Sequence, residues 1–449
     1  MPSGATRSRA PCARSRAQVP AHPRTTTRRR AEPVAVSTAE TPRASVLGQW
    51  NSAVTSYYLL IGAAALLLAL GLVMVLSSSS VDALSASKGA SPYGIFLRQA
   101  QFALVGLPLA WVASRLPARW YRRAAWPMLL GAMGVQLVVL FVGKEINGNR
   151  NWIEVGPVSV QPSEAVKLAL AVWLGTVLAR KRPLLGEWLH VLVPGVLVAL
   201  AAVGLVLAGG DLGTGIVLLT LVAGAFFVAG VPMRMFAVAG ALAVVGVLAL
   251  SQMNSSRVAR IEAFFSDDCD VQAECYQTNR GMYGLASGGW TGMGLGESRE
   301  KWSYLPEAHN DFIFAILGEE LGLLGTGLVL ALFGLLAVAV TRVIRRHSDP
   351  FVQITTGAVG SWVLGQALIN IAVVIGLLPV IGVPLPLVSA GGSALITTMI
   401  GIGVLVSFAR HEPGAAEALA ARPSVVRRSL AVLGRPGREP AQPGRQGET

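Results

Sequence analysis

Residues 302–322 read WSYLPEAHNDFIFAILGEELG, and the apolar run continues as LLGTGLVLALFGLLAVAV to residue 340. A polar stretch holding Glu307, His309 and Asp311 therefore passes straight into an apolar segment, 312–341, broken only by Glu319 and Glu320. About 20 apolar residues in helix cross roughly 30 Å of hydrocarbon, so a transmembrane helix is predicted here. Ionisable side chains cost about 2.5–3.5 kcal/mol each at the centre of such a helix, which makes function their default explanation. Asp311 stands at the mouth of the helix, where partial burial raises the basicity of a carboxylate. A plain helix N-cap is its structural alternative. At 100° per residue Glu320 lies opposite Asp311 and Glu319 about 80° away, so at most one shares its side.

Outward from this segment the same pattern recurs. Spans are predicted near 55–77, 97–114, 124–143, 164–180, 188–208, 213–230, 233–252, 351–379 and 391–409. The composition agrees: 53% of the 449 residues are hydrophobic and only 14% charged, too few to coat a soluble protein of this size. With tails and alternate loops assigned to the cytoplasm, that side holds 27 of the 37 Lys and Arg and eight of the 24 acids. Its balance is +19, leaving −6 outside and the overall +13. The expected fold is an all-α polytopic membrane protein of about ten transmembrane helices, with both termini cytoplasmic. A large extracytoplasmic loop, 253–310, joins helices 7 and 8. Residues 1–53 and 411–449 read as disordered basic tails flanking a membrane domain, 54–410. Their arginines suit a membrane surface better than nucleic acid.

Three more polar clusters fall at the outer membrane depth. In GNRNWIEVGPVSVQPSEAVK (148–167), Pro162 and Ser163 read as a helix start with Glu164 at the positive dipole end. Glu164 and Lys167, three apart, share a face and can pair, either as a local structural ion pair or as part of a site. Lys167 sits one turn into an apolar span, where a pair serving only the helix start is a costly device, so it is expected to serve substrate more than stability. GGDLGTG (209–215) is a turn with one acid, Asp211, able to hold a cation or merely to shape the turn. LPVIGVPLPLVSAGGS (378–393) carries Pro379, Pro384 and Pro386, which forbid regular helix. Non-helical backbone at this depth must be buried in protein or line a cavity; a re-entrant spacer is the plainer reading.

In the large loop, Cys269 and Cys275 face an oxidising exterior that favours a disulfide, worth roughly 2 kcal/mol for so short a loop. Two free thiols are the alternative. The spacing and the lack of nearby His argue against zinc.

Together the clusters resemble the shape, elongation, division and sporulation family of peptidoglycan glycosyltransferases, over about residues 55–410. The motifs are QPSE with Lys167, GDLGT, LPEAHNDFIF with GEELG, and PLVSAGGS. LPEAH with GEE is most similar to the cell-division subtype, with the rod-elongation subtype as alternative. Ala165, Asn310 and Ala390 depart from the family's frequent Phe, Thr and Tyr without touching a charged position.

The resemblance implies polymerisation of lipid II into glycan strands at the division septum of a bacterial cell membrane. Asp311 becomes the general base, with Glu164, Lys167, Asp211, Arg280, Glu307, His309, Ser389, Gly391 and Gly392 contacting substrate. No organic cofactor is implied; a divalent cation such as Mg could assist at the pyrophosphate. A lipid II flippase is the rival class, but a transporter places its charges near the midplane, and these cluster on the outer side. The chain shows no transpeptidase motif set, so the resemblance points to a class B penicillin-binding transpeptidase as partner, beside other divisome proteins. Its membrane helix is expected on the apolar faces of spans eight and nine.

Overall fold

The computed structural model describes residues 52–421 apart from 53, 87–88, 90, 147–148, 157, 252–257, 259–263, 265–274 and 303. Most of both tails, Cys269 and about a third of the large loop lie outside the described residues.

Apolar sequence becomes helix because each helical backbone satisfies its own polar groups, which hydrocarbon cannot do. Among the described residues nine helices are long and apolar enough to cross a membrane. They are α1 Thr55–Ser78, α3 Gly94–Arg115, α4 Ala118–Val142, α5 Pro162–Lys181 and α6 Trp188–Ala208. After them come α7 Leu212–Ala229, α10 Ile313–Arg346, α11 Pro350–Val374 and α12 Gly392–Arg410. A tenth apolar helix, α8 Met233–Ser251, occupies the position expected for the seventh span. Shorter helices are α2 Ser80–Ala86, α9 Tyr276–Ser287 in the large loop, and α13 Ala415–Ala421.

α5, α11 and α12 are the most enclosed helices, while α3 and α4 turn most of their surface outward. Leu104, Leu107, Trp111, Leu130 and Phe141 on these two are exposed, as lipid-facing side chains are. α12 packs on α3, α11 on α7 and α5, and α10 on α1. Close approach fixes one further contact: a Cβ on Gly71 of α1 would stand 2.5 Å from the Leu387 carbonyl of the proline-rich segment. That segment follows α11 without regular structure, as its prolines require.

Three features depart from the expectation. A three-stranded antiparallel meander, β1 Lys144–Ile146, β2 Asn149–Val155 and β3 Val158–Val160, stands between α4 and α5. β1 and β3 are three residues each, and NRNWIEV of β2 does not alternate polar with apolar, so the sequence carries no strand signal here. The eighth span is not continuous, because α10 breaks at Gly322, with φ 65° and ψ −161°. Finally, the chain past residue 411 keeps its structure as far as α13 rather than becoming tail at once. Glu412 is buried 3.9 Å from Arg346, and His347 Nε2 lies 2.8 Å from the Phe408 carbonyl. Burial raises the Glu412 carboxyl above its ordinary pKa and lowers that of His347.

The break at Gly322 is compensated bond by bond. The freed carbonyls of Glu319 and Glu320 accept from the N–H groups of Met293 and Gly294, at 2.9 and 3.1 Å. The freed N–H groups of Leu323 and Leu324 donate to the carbonyls of Gly289 and Trp290, at 2.9 and 3.2 Å. The loop after α9 thus inserts where the helix opens and pairs these four groups.

Candidate active site

Residues 309–311 offer three successive carbonyls to three donors. The Ala390 N–H donates to the His309 carbonyl at 3.0 Å. Ser389 Oγ donates to the Asn310 carbonyl, and Asn370 Nδ2 to that of Asp311, both at 2.7 Å. Asn370 Nδ2 also reaches the Val383 carbonyl, and Gln366, one turn earlier on α11, donates to that of Pro384 at 2.9 Å. The approach to α10, the proline-rich segment and α11 are therefore tied into one unit.

Asp311 is partly buried, and it is not the cap of α10. That helix begins at Ile313, after Phe312, with no side-chain cap bond. A Cβ placed on Gly382 would stand 3.5 Å from Asp311 Oδ2, so the carboxylate borders the proline-rich segment.

Beneath this unit lies the pair predicted from QPSE. Lys167 Nζ sits 2.8 Å from Glu164 Oε1, and both residues are buried, at 2% and 3% exposure. Lys167 also donates to Gln366 Oε1 at 3.1 Å and lies over the Trp362 ring. The lysine expected to meet substrate directly is thus enclosed by protein, because α5 is ringed by α4, α7 and α11. Glu164 Oε2 and Asn370 Oδ1 have no hydrogen-bond partner among the described residues, which leaves acceptors for water or a bound molecule.

The remaining clusters meet at Gln161. Its side chain donates to Asp211 Oδ2 at 2.7 Å, and its backbone N–H donates to Ser393 Oγ at 3.2 Å. Asp211 caps α7 by accepting from the Thr214 N–H. The GGD turn also carries the small sheet, through an Arg150 N–H to Gly209 carbonyl bond of 2.9 Å. Gly391 donates to Gln99 Oε1 at 3.2 Å, and a side chain on Gly392 would strike the Phe102 ring. These glycines seat α12 against α3.

At the surface His309 Nδ1 lies 3.2 Å from Asp82 Oδ2, and exposed Glu307 accepts from Asn310 at a positive φ of 55°. Arg280 of α9 pairs with Glu300 at 3.6 Å and lies against the Tyr276 and Tyr304 rings. Burial raises the Glu300 carboxyl above its ordinary pKa; Arg280 lowers it in part and Glu319 raises it. Glu319 accepts from Ser298 Oγ and the Arg299 N–H, and Glu320 from Ser77 Oγ of α1. Lys301 Nζ stands 3.4 Å from Glu320 Oε1, with both side chains buried. The two carboxylates are thus spent on anchoring the large loop.

Sequence reasoning gave Gln161 no role beyond its place in QPSE, and it missed Gln99, Gln366 and Asn370. The last two carried a signal, as amides four apart in an apolar helix share one face. Among the described residues no group of three His, Cys, Asp or Glu could hold a metal ion. Cys275 is disulfide-bonded, and its expected partner Cys269 lies outside the described residues.

The cell cycle protein family of FtsW, RodA and SpoVE matches residues 57–413. The chain belongs to this family. Among FtsW/RodA/SpoVE relatives, the probable peptidoglycan glycosyltransferase FtsW of Mycobacterium tuberculosis is 41% identical over 377 residues, covering 83% of this chain and 72% of the relative. The protein of the same description from Marinobacter nauticus is 40% identical over 347 residues, covering 76% and 86%. A solved structure described as the structural coordination of polymerization and crosslinking by a peptidoglycan synthase complex aligns with a TM-score of 0.64 and 28% identity. It spans 79% of this chain and 97% of that one. The rod shape determining protein RodA of Thermus thermophilus aligns over the same shares with a TM-score of 0.59 and 28% identity. The FtsW/RodA/SpoVE fold therefore covers the whole unit built around Asp311.

Proposed function

We propose that this chain is a peptidoglycan glycosyltransferase of the division type, polymerising lipid II at the septal membrane with Asp311 as general base. The single observation that carries the assignment of the base is the fixing of residues 309–311 by three donors, which holds one partly buried carboxylate beside the proline-rich segment. In the reaction Asp311 takes the proton of the acceptor sugar hydroxyl, whose oxygen bonds to the anomeric carbon of the donor. The bond from that carbon to the pyrophosphate breaks, and undecaprenyl pyrophosphate leaves with the electron pair.

Arg280, about one-third exposed and held by Glu300 and two tyrosines, is the cation offered to the pyrophosphate from the large loop. Lys167 acts through Gln366 on the proline-rich segment and so positions the site. A divalent ion, if enlisted, travels with the pyrophosphate, which supplies its own oxygen ligands.

Cross-linking falls to a class B penicillin-binding transpeptidase, whose membrane helix docks on α10 and α11. Exposed Leu324, Leu328 and Leu368 offer it an apolar face. The decisive experiment supplies labelled lipid II to the purified protein and to Asp311→Asn, with and without the transpeptidase. The variant is expected to fold and insert but make no strands. Long strands at the parental rate would remove Asp311 from the reaction.

A further inference from the structure

At the arginine-rich end of the bundle, opposite the candidate active site, a cavity of about 210 Å³ opens between α4, α5 and α11. It is lined by Arg122, Thr176, Ala179, Arg180, Asp349, Pro350 and Phe351. None of these belongs to the polymerisation site.

The charges divide into committed and uncommitted groups. Arg122 pairs with Asp349 and lies over the Phe351 ring, and Asp349 also caps α11 through the Phe351 N–H. The one acid in the lining is therefore already met by a cation and a backbone donor. Lys181 donates to the Val193 carbonyl and Arg182 to Gln353. Arg180 is exposed at the mouth and makes no hydrogen bond or ion pair among the described residues. Its guanidinium, with the outer edge of Arg122, presents N–H donors with no acceptor among the described residues.

The same helix face turns from charged to apolar going inward. Arg122, Trp126 and Leu130 lie four apart on α4, and the last two are exposed, at 45% and 62%. Polar head, interfacial aromatic and hydrocarbon-facing leucine follow the profile of a phospholipid. Basic pockets between membrane helices at such an end take anionic head groups.

We propose that this cavity binds the phosphate head group of an anionic phospholipid, with Arg180 and Arg122 on the phosphate and the acyl chain along Trp126 and Leu130. Arg122 carries structural bonds, so Arg180 is the residue to vary. The purified full chain, delipidated, is titrated with phosphatidylglycerol or phosphatidylcholine in nanodiscs or micelles. Retained lipid is read by native mass spectrometry and stabilisation by thermal shift. Arg180→Glu is expected to weaken phosphatidylglycerol binding about tenfold or more, the loss of one charge-assisted contact made repulsive. Arg345→Gln, an exposed cation away from the cavity, should bind as the parent does. Three results of the lipid titrations would overturn the proposal. They are unchanged binding by Arg180→Glu, equal retention of phosphatidylcholine, and an equal loss in Arg345→Gln, which signals bulk charge only. Protection by inorganic phosphate matching that by the lipid would also overturn it, as the site would then serve a free anion.

Discussion

Asn370 holds the Asp311 carbonyl and the Val383 carbonyl with one amide nitrogen, each at 2.7 Å. One side chain on α11 thereby fixes the distance between Asp311 and the proline-rich segment. Asn370→Leu leaves two buried carbonyls unpaired, at about 1–3 kcal/mol. Polymerisation by the folded variant should fall by at least tenfold, since a small misplacement of a catalytic group is costly. Thermal unfolding and strand synthesis from labelled lipid II, measured side by side, check both; parental activity would detach Asn370 from positioning.

Lys167→Met is expected to destabilise as well as inactivate. Removing one partner of a buried pair strands the other charge, at about 3–5 kcal/mol. The double variant Glu164→Gln, Lys167→Met should recover much of the melting temperature while activity stays low. A single variant as stable as the parent would restore the reading of Lys167 as a substrate cation.

Gly322→Ala tests the break in α10. Its backbone conformation is nearly confined to glycine, costing about 1–3 kcal/mol for other residues. A Cβ there would also stand 2.6 Å from the Trp290 carbonyl oxygen. The variant should melt lower and expose the large loop to protease sooner; unchanged melting and proteolysis would place the strain elsewhere.

Glu300 sets a pH dependence. Its pKa in the folded protein is raised above the ordinary 4.5, chiefly by burial, so the folded state holds its proton more firmly. Its contribution to stability is complete below that ordinary value and is lost as pH rises through the raised one. Glu300→Gln should flatten this part of the melting profile. A profile of the same slope in both proteins would assign the dependence to another group.

Cys275 is bonded, and Cys269 is the expected partner. Thiol-reactive labelling of intact cells should tag neither residue until reductant is added. Labelling of both without reductant would refute the pairing.

The four clusters of the candidate site were legible because polar residues at membrane depth are rare and expensive. Spans, helix start at Pro162, the i,i+3 pair of Glu164 and Lys167 and the non-helical proline segment followed from rules of one or two turns' range.

What tertiary structure decided is which polar groups face each other. Gln161 joins Asp211 to Ser393 across 50 and 232 residues of chain, and Ser389 reaches Asn310 across 79. No periodicity encodes such pairings, because they depend on how α5, α11 and α12 cross. Burial was decided there too: the sequence places Lys167 one turn into an apolar span, but only the ring of helices around α5 encloses it in protein rather than facing it to substrate. The break at Gly322 likewise needs the loop after α9 to supply its missing hydrogen bonds. A local reading of LGEELGLLG sees continuous helix, because the partners that compensate the break come from residues 289–294.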